Sequence, residues 1–191
     1  MFFSAKLIFP VFAAFSIAAT AFASPAVAPV GVADIAKRQS TDVVNDLQSF
    51  QSTVTPLIDQ LSQAAATGSN TDSSFNQLTS AFTDSTNHFK GKKPGVIADV
   101  DVVIVVDVVV DIVLKLVVVI SKFPLLDVFL NGKVDVFLSA WLSALEVLHP
   151  GIGPKVGKGI PTAGLSIFAL LKLVLSAKVL AIVDILGIVV L

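Results

Sequence analysis

Residues 96–120, VIADVDVVIVVDVVVDIVLKLVVVI, admit two readings, and the architecture turns on which one holds. Valine and isoleucine favour strands, and Asp99 and Asp101 alternate as they would along one. Against this, Asp107, Asp111 and Lys115 recur every four residues, and Lys122 returns to the same side seven further on. That period lines one face of a helix. No turn residue interrupts the run, and strands usually end within about ten residues. The segment is therefore expected to be a helix with a narrow charged stripe.

Working outward from that run, the preceding region, residues 39–93, is different in kind. It is rich in Ser, Thr, Asn and Gln, with apolar residues at helical spacing: Val43, Val44, Leu47, Phe50, Val54, Leu57, Ile58, Leu61 and Ala65. These predict one amphipathic helix, which Pro56 kinks or restarts behind Thr55. Thr67-Gly68-Ser69-Asn70 reads as a turn. A second stripe follows at Phe75, Leu78, Phe82 and Phe89, capped by Thr71 or Asp72. The two form an expected antiparallel pair, closed by Lys90-Gly91-Lys92-Lys93-Pro94-Gly95.

Beyond Ile120, Phe123-Pro124 and Asn131-Gly132 are expected to bracket a short helix. Lys133–Leu148 reads as amphipathic, with Asp135, Ser139, Ser143 and Glu146 on one side and Val136, Phe137, Leu138, Trp141, Leu145 and Leu148 elsewhere. The Gly, Pro and Lys content of 149–161 predicts a connector. Thr162–Leu191 is again apolar, and on a wheel Thr162, Ala169, Lys172, Ser176 and Asp184 gather on a small, polar side, with Lys178 as the exception. Each Lys or Asp at a bilayer centre costs about 2.5–3.5 kcal/mol while each Leu or Ile returns only about 0.3–0.6. Buried or surface-seeking helices are thus expected before true spans. Asp184 also interrupts the terminal apolar tail that a GPI signal requires.

The amino terminus has the order of a secretory signal: Lys6, an apolar run over 7–22, then Ala21-Phe22-Ala23, which places cleavage after Ala23. The run is broken by Pro10, Ser16 and Thr20 and is short for a span of about 20 residues. Residues 24–38 read as a short featureless pro-segment ending in Lys37-Arg38, which resembles a site for kexin-type proteases. The mature chain would begin at Gln39 and comprise 153 residues, with 39–93 as a polar helix pair and 94–191 as an apolar helical region packing with it as one domain. The fold class expected is all-α, an apolar bundle of about five helices.

Hydrophobic residues make up 54% of the chain and cysteine is absent, so disulfides contribute nothing and thiolate catalysis and thiolate metal sites are excluded. Past Arg38, ten lysines face thirteen acids, and no dense basic stripe of the kind nucleic acid needs is present. Gly157-Lys158 lacks the flanking residues of a phosphate loop. His88 and His149 are the only histidines, and no Gly-x-Ser-x-Gly elbow offers either a nucleophile. Asp99, Asp101, Asp107 and Asp111 lack the Gly-turned loop of a hard-cation site. No catalytic, cofactor or metal residue is assigned, and a non-enzymatic protein is expected.

A signal, a Lys-Arg site, no cysteine and the first helix Thr41-Asp42-Val43-Val44-Asn45-Asp46-Leu47 give a layout that resembles the fungal hydrophobic surface-binding and cell-wall mannoprotein group, most over residues 40–90. The resemblance implies a helical, non-enzymatic, secreted or wall-associated protein that adsorbs to apolar surfaces or lipids. The expected partners are a hydrophobic surface, a lipid or a second copy of the chain. A membrane-inserting or pore-forming helical protein is the alternative.

Overall fold

The apolar period of the polar half builds the first two helices of the computed structural model, which describes residues 32–123 and 128–186. The signal segment with Ala23, residues 24–31, 124–127 and 187–191 lie outside that description. Helix α1 spans Val32–Thr67 and buries Val43, Leu47, Phe50, Val54, Ile58 and Leu61 along one stripe. It begins at Val32, so the last part of the segment read as featureless is helical, and Lys37 and Arg38 stand exposed on it. Pro56 neither ends nor restarts the helix. It is exposed, so the carbonyl it leaves without an N–H donor can be met by water. Gly68, at φ 66°, stops α1 with Ser69 N–H donating to Ala64 O at 3.1 Å.

Helix α2 spans Asp72–Lys90. Thr71 occupies the cap position without a side-chain bond, and Asn70 Oδ1 instead accepts from Asp72 N at 2.7 Å. The Val-rich run folds as helix α3, Val102–Ile120, so the four-residue period prevails over strand propensity. Asp99 and Asp101 sit in the turn before it rather than in a strand. Asp111 and Lys122 of the charged stripe reach α1, as does Asp101 just before the helix. Asp101 accepts from the Ser40 hydroxyl, Asp111 accepts from Gln51 Nε2 at 2.6 Å and pairs with Lys115 at 2.8 Å, and Lys122 Nζ donates to Ser62 Oγ at 2.9 Å. These contacts fix α1 and α3 as parallel neighbours.

Helix α4 runs unbroken over Val128–Leu148, straight through Asn131-Gly132, where a break was expected. The stretch read as a connector contains helix α5, Ile152–Gly159. Its glycines are a contact surface. A Cβ on Gly153 would lie 2.3 Å from Val179 O, and one on Gly157 would lie 2.1 Å from Leu180 O. Glycines four apart on a helix let another backbone approach closely, and loop composition hid that spacing. The terminal apolar segment is also not one helix but three: α6 Thr162–Leu171, α7 Val174–Val179 and α8 Val183–Leu186.

Eight helices, and no strand, are thus present among the described residues, where about five were expected. Helix α1 packs against α2 and α3, α2 against α4, and α4 against α5 and α7, while α5 and α6 close onto α3. The short C-terminal helices therefore complete the ring between α3 and α4. At its centre lies Trp141, fully buried, 5.2 Å from the Phe50 ring and 5.3 Å from Phe82, with its indole N–H donating to Ser85 Oγ at 3.0 Å. None of the described helices is long and apolar enough to cross a membrane.

The two kinds of glycine make opposite predictions. Gly157→Ala should destabilise by about 3 kcal/mol, because the new methyl meets backbone rather than a flexible side chain. Gly132→Ala, in α4 with nothing within 4 Å of its Cβ position, should stabilise by about 0.5–1 kcal/mol. Urea unfolding followed by Trp141 emission measures both.

Candidate functional site

The ridge of α2 separates two grooves of different character. On one flank, α2 and α4 run parallel, as the pairings of Phe75 with Phe137 (6.2 Å) and of Ser85 with Trp141 require. Between them lies a groove of about 840 Å³. Phe75, Phe137, Val136 and Ala140 supply its apolar lining, and Thr79, Thr83 and Thr86 line the α2 side. Each of these threonine hydroxyls donates back to the carbonyl four residues earlier, at 2.9, 2.8 and 2.7 Å. Their donors are spent inside α2, so the wall is less polar than its residue names suggest. Val136, read in the sequence as packed, is 60% exposed here. Lys133 and Lys90 stand toward opposite ends, since one lies a turn before Phe137 and the other ends α2.

The other flank, between α1 and α2, holds a groove of about 810 Å³ in which Asp46, Asp84 and His88 stand among hydroxyl and amide residues and the apolar Phe50, Leu57, Ala81 and Phe89. Among the described residues, no acid lines the first groove and no lysine lines the second. The first is consequently suited to an apolar chain with an anionic end.

The candidate catalytic groups do not converge. His88 joins Asp46 at 3.0 Å, and Lys92 Nζ reaches the same carboxylate oxygen at 2.6 Å. His149 holds its Nδ1 3.2 Å from Ile97 O, and Lys155 Nζ lies 3.3 Å from its Nε2. Among the described residues neither imidazole is hydrogen-bonded to a serine or threonine hydroxyl, and no group of three or more His, Asp or Glu is placed to hold a metal ion. Gly157-Lys158 is inside α5, with the glycine pressed on Leu180.

Two carboxylates that the sequence placed on the polar side of α4 turn out to be internal fastenings. Asp135 is buried and accepts from Leu175 N and Ser176 N, both at 2.8 Å, and from Ser176 Oγ at 2.7 Å. Glu146 accepts from Gly151 N at 2.5 Å and Gly153 N at 2.7 Å, capping α5. At the dibasic site, Lys37 and Arg38 are exposed while Ser40 is fully buried, its hydroxyl accepting from Ala98 N at 2.8 Å. The chain matches no protein-family model, no curated protein and no solved structure.

Burial alone would raise the Asp46 carboxyl, but the hydrogen bonds from Lys92 and His88 and their charges outweigh it and hold the group below its ordinary value of 3.8. A depressed folded value means that the clasp contributes fully above the unfolded value and is lost as pH falls through the folded one. Half-exposed partners limit the contribution to below about 1 kcal/mol. Denaturant unfolding between about pH 5 and pH 2.5 should show this acid loss, and Asp46→Asn should remove that part of the slope.

Proposed function

We propose that the protein is a secreted or cell-wall-associated, non-enzymatic binder of apolar surfaces and lipids, in the manner of the hydrophobic surface-binding and cell-wall mannoprotein group that its layout resembles. The observation that carries the reading is the α2/α4 groove, with an aromatic and aliphatic lining, hydroxyl donors satisfied within the helix and lysines at its two ends. An amphiphile with one alkyl chain and a carboxylate fits that chemistry. Large apolar side chains left on the surface, Val100 just before α3 and Val103 and Ile104 in its first turn among them, support adsorption to apolar surfaces or to a second copy.

Processing after Arg38 fits the same reading. The first buried side chain of α1 for which exposure is described is Ser40, so removal of everything before Gln39 spares the buried stripe from Ser40 onward and gives up the bond from Thr41 Oγ1 to Lys37 O. Intact mass of the exported protein should correspond to a chain starting at Gln39, and Arg38→Ala should shift it. A start at Ser24 in the unmodified protein would refute the processing step.

The groove is tested with a fluorescent polyene fatty acid, for which Trp141 beneath Phe82 is a built-in energy donor. Binding should quench Trp141. Ala140→Phe, which fills the lining, should weaken binding at least about tenfold, a packing penalty of about 1–3 kcal/mol. Lys90→Glu should weaken it less, and more so at low salt. No quenching, together with no partition onto alkane droplets or wax, would sink the reading.

A further inference from the structure

The terminal segment has no helix breaker between Leu165 and Leu186, yet it is broken twice, and both breaks sit at non-glycine residues in the left-handed conformation: Lys172 at φ 54° and Ala181 at φ 55°. Each such residue costs about 1–2 kcal/mol relative to the right-handed helix. The pieces have ten, six and four residues, too short to persist in water by themselves. What holds the first break open comes from outside the segment. Asp135 of α4 satisfies the leading N–H groups of α7 that a continuous helix would satisfy itself. The segment also carries Leu170, Leu175 and Ile185 at 53%, 44% and 66% exposure, beside exposed Lys172 and Lys178 and a single acid, Asp184.

We propose that residues 162–186 are the element that docks on an anionic lipid–water interface, and that on docking α6, α7 and α8 join into one continuous helix. This rests on the lipid-binding reading and adds to it the surface on which the protein lands. At an interface the apolar side chains that now face α3 and α4 find acyl chains instead. No carboxylate is then at hand to cap a broken helix, and unpaired backbone groups in an apolar medium are costly, so closing the two gaps is the favoured way to satisfy them. Both left-handed residues relax in the same step. The two exposed lysines supply the attraction to anionic headgroups. With no disulfide anywhere in the chain, nothing covalent prevents the release.

The test uses the exported protein and vesicles of phosphatidylcholine with phosphatidylglycerol, reading sedimentation, far-UV circular dichroism and the emission of the sole tryptophan. Binding should raise helicity while Trp141 emission stays that of a buried indole, since α1, α2 and α4 keep it enclosed. Lys172→Gly combined with Ala181→Gly suits the broken form and penalises the continuous one, so it should raise the thermal midpoint and weaken partition by roughly tenfold or more. Lys172→Gln, which removes the charge alone, should weaken binding yet keep the gain in helicity. Binding without that gain, glycine variants that bind as the parent does, or a red shift of Trp141 would each overturn the inference. Failure to bind vesicles while the groove still takes the fatty-acid probe overturns it and leaves the lipid-binding reading standing, whereas failure of both overturns both.

Discussion

The buried carboxylate of Asp135 is the constraint on which the arrangement of the second half depends. A carboxylate taken out of water is tolerable only when its acceptor sites are met, and here two backbone N–H groups and a hydroxyl of α7 meet them. The bargain is mutual, because the leading N–H groups of any helix need an acceptor as well. Losing either partner leaves the other buried and unsatisfied, a larger loss than the net gain of the bonds themselves. This seam, with Glu146 performing the same service for α5, sets the short helices between α3 and α4 and so shields the apolar faces of both.

Closing that gap matters because of how the chain is stabilised. Without cysteine, burial of Val, Leu, Ile and Phe has to carry the fold. The aromatic cluster of Phe50, Phe82, Phe137 and Trp141 ties α1, α2 and α4 together from the middle, and Ser85 removes the cost of burying the indole N–H. Polar contacts along the α1–α3 seam fix register instead of adding much energy. Asp111 with Gln51 and Lys115, and Lys122 with Ser62, are partly solvated, and pairs of that kind contribute little apiece.

How far the sequence revealed this follows from where the determining forces lie. Helices α1 and α2 were legible because their own period of three and four places the buried residues on one stripe, and α3 because its charges recur every four residues. The stop at Gly68 was legible because the glycine itself is the cause. The break at Lys172 was not, since its cause is a carboxylate some forty residues earlier and no local residue announces it, and the break at Ala181 likewise has no glycine or proline to signal it. Helix α5 was obscured by composition, although Gly153 and Gly157 at a spacing of four were the readable sign of a close helix contact. The threonines of the α2/α4 groove were visible as helix residues, but only the meeting of two helices makes a site of them, and no periodicity within one segment specifies its neighbour.

The two halves consequently differ in how firmly they are determined. In α1 and α2, the apolar period and the tertiary packing agree, a condition under which a chain has one deep minimum. From Thr162 onward they disagree: the local sequence favours one helix and the packed structure imposes three. A segment in that position keeps an alternative conformation close in energy, and whatever replaces its packing partners decides between the two. A fold stapled by disulfides would have suppressed the alternative. Here only hydrogen bonds to Asp135 and Glu146, the close approach of Gly153 and Gly157 and the apolar contacts behind them stand between one arrangement and the other, and a medium that supplies apolar contact without polar caps acts on that balance in a single direction.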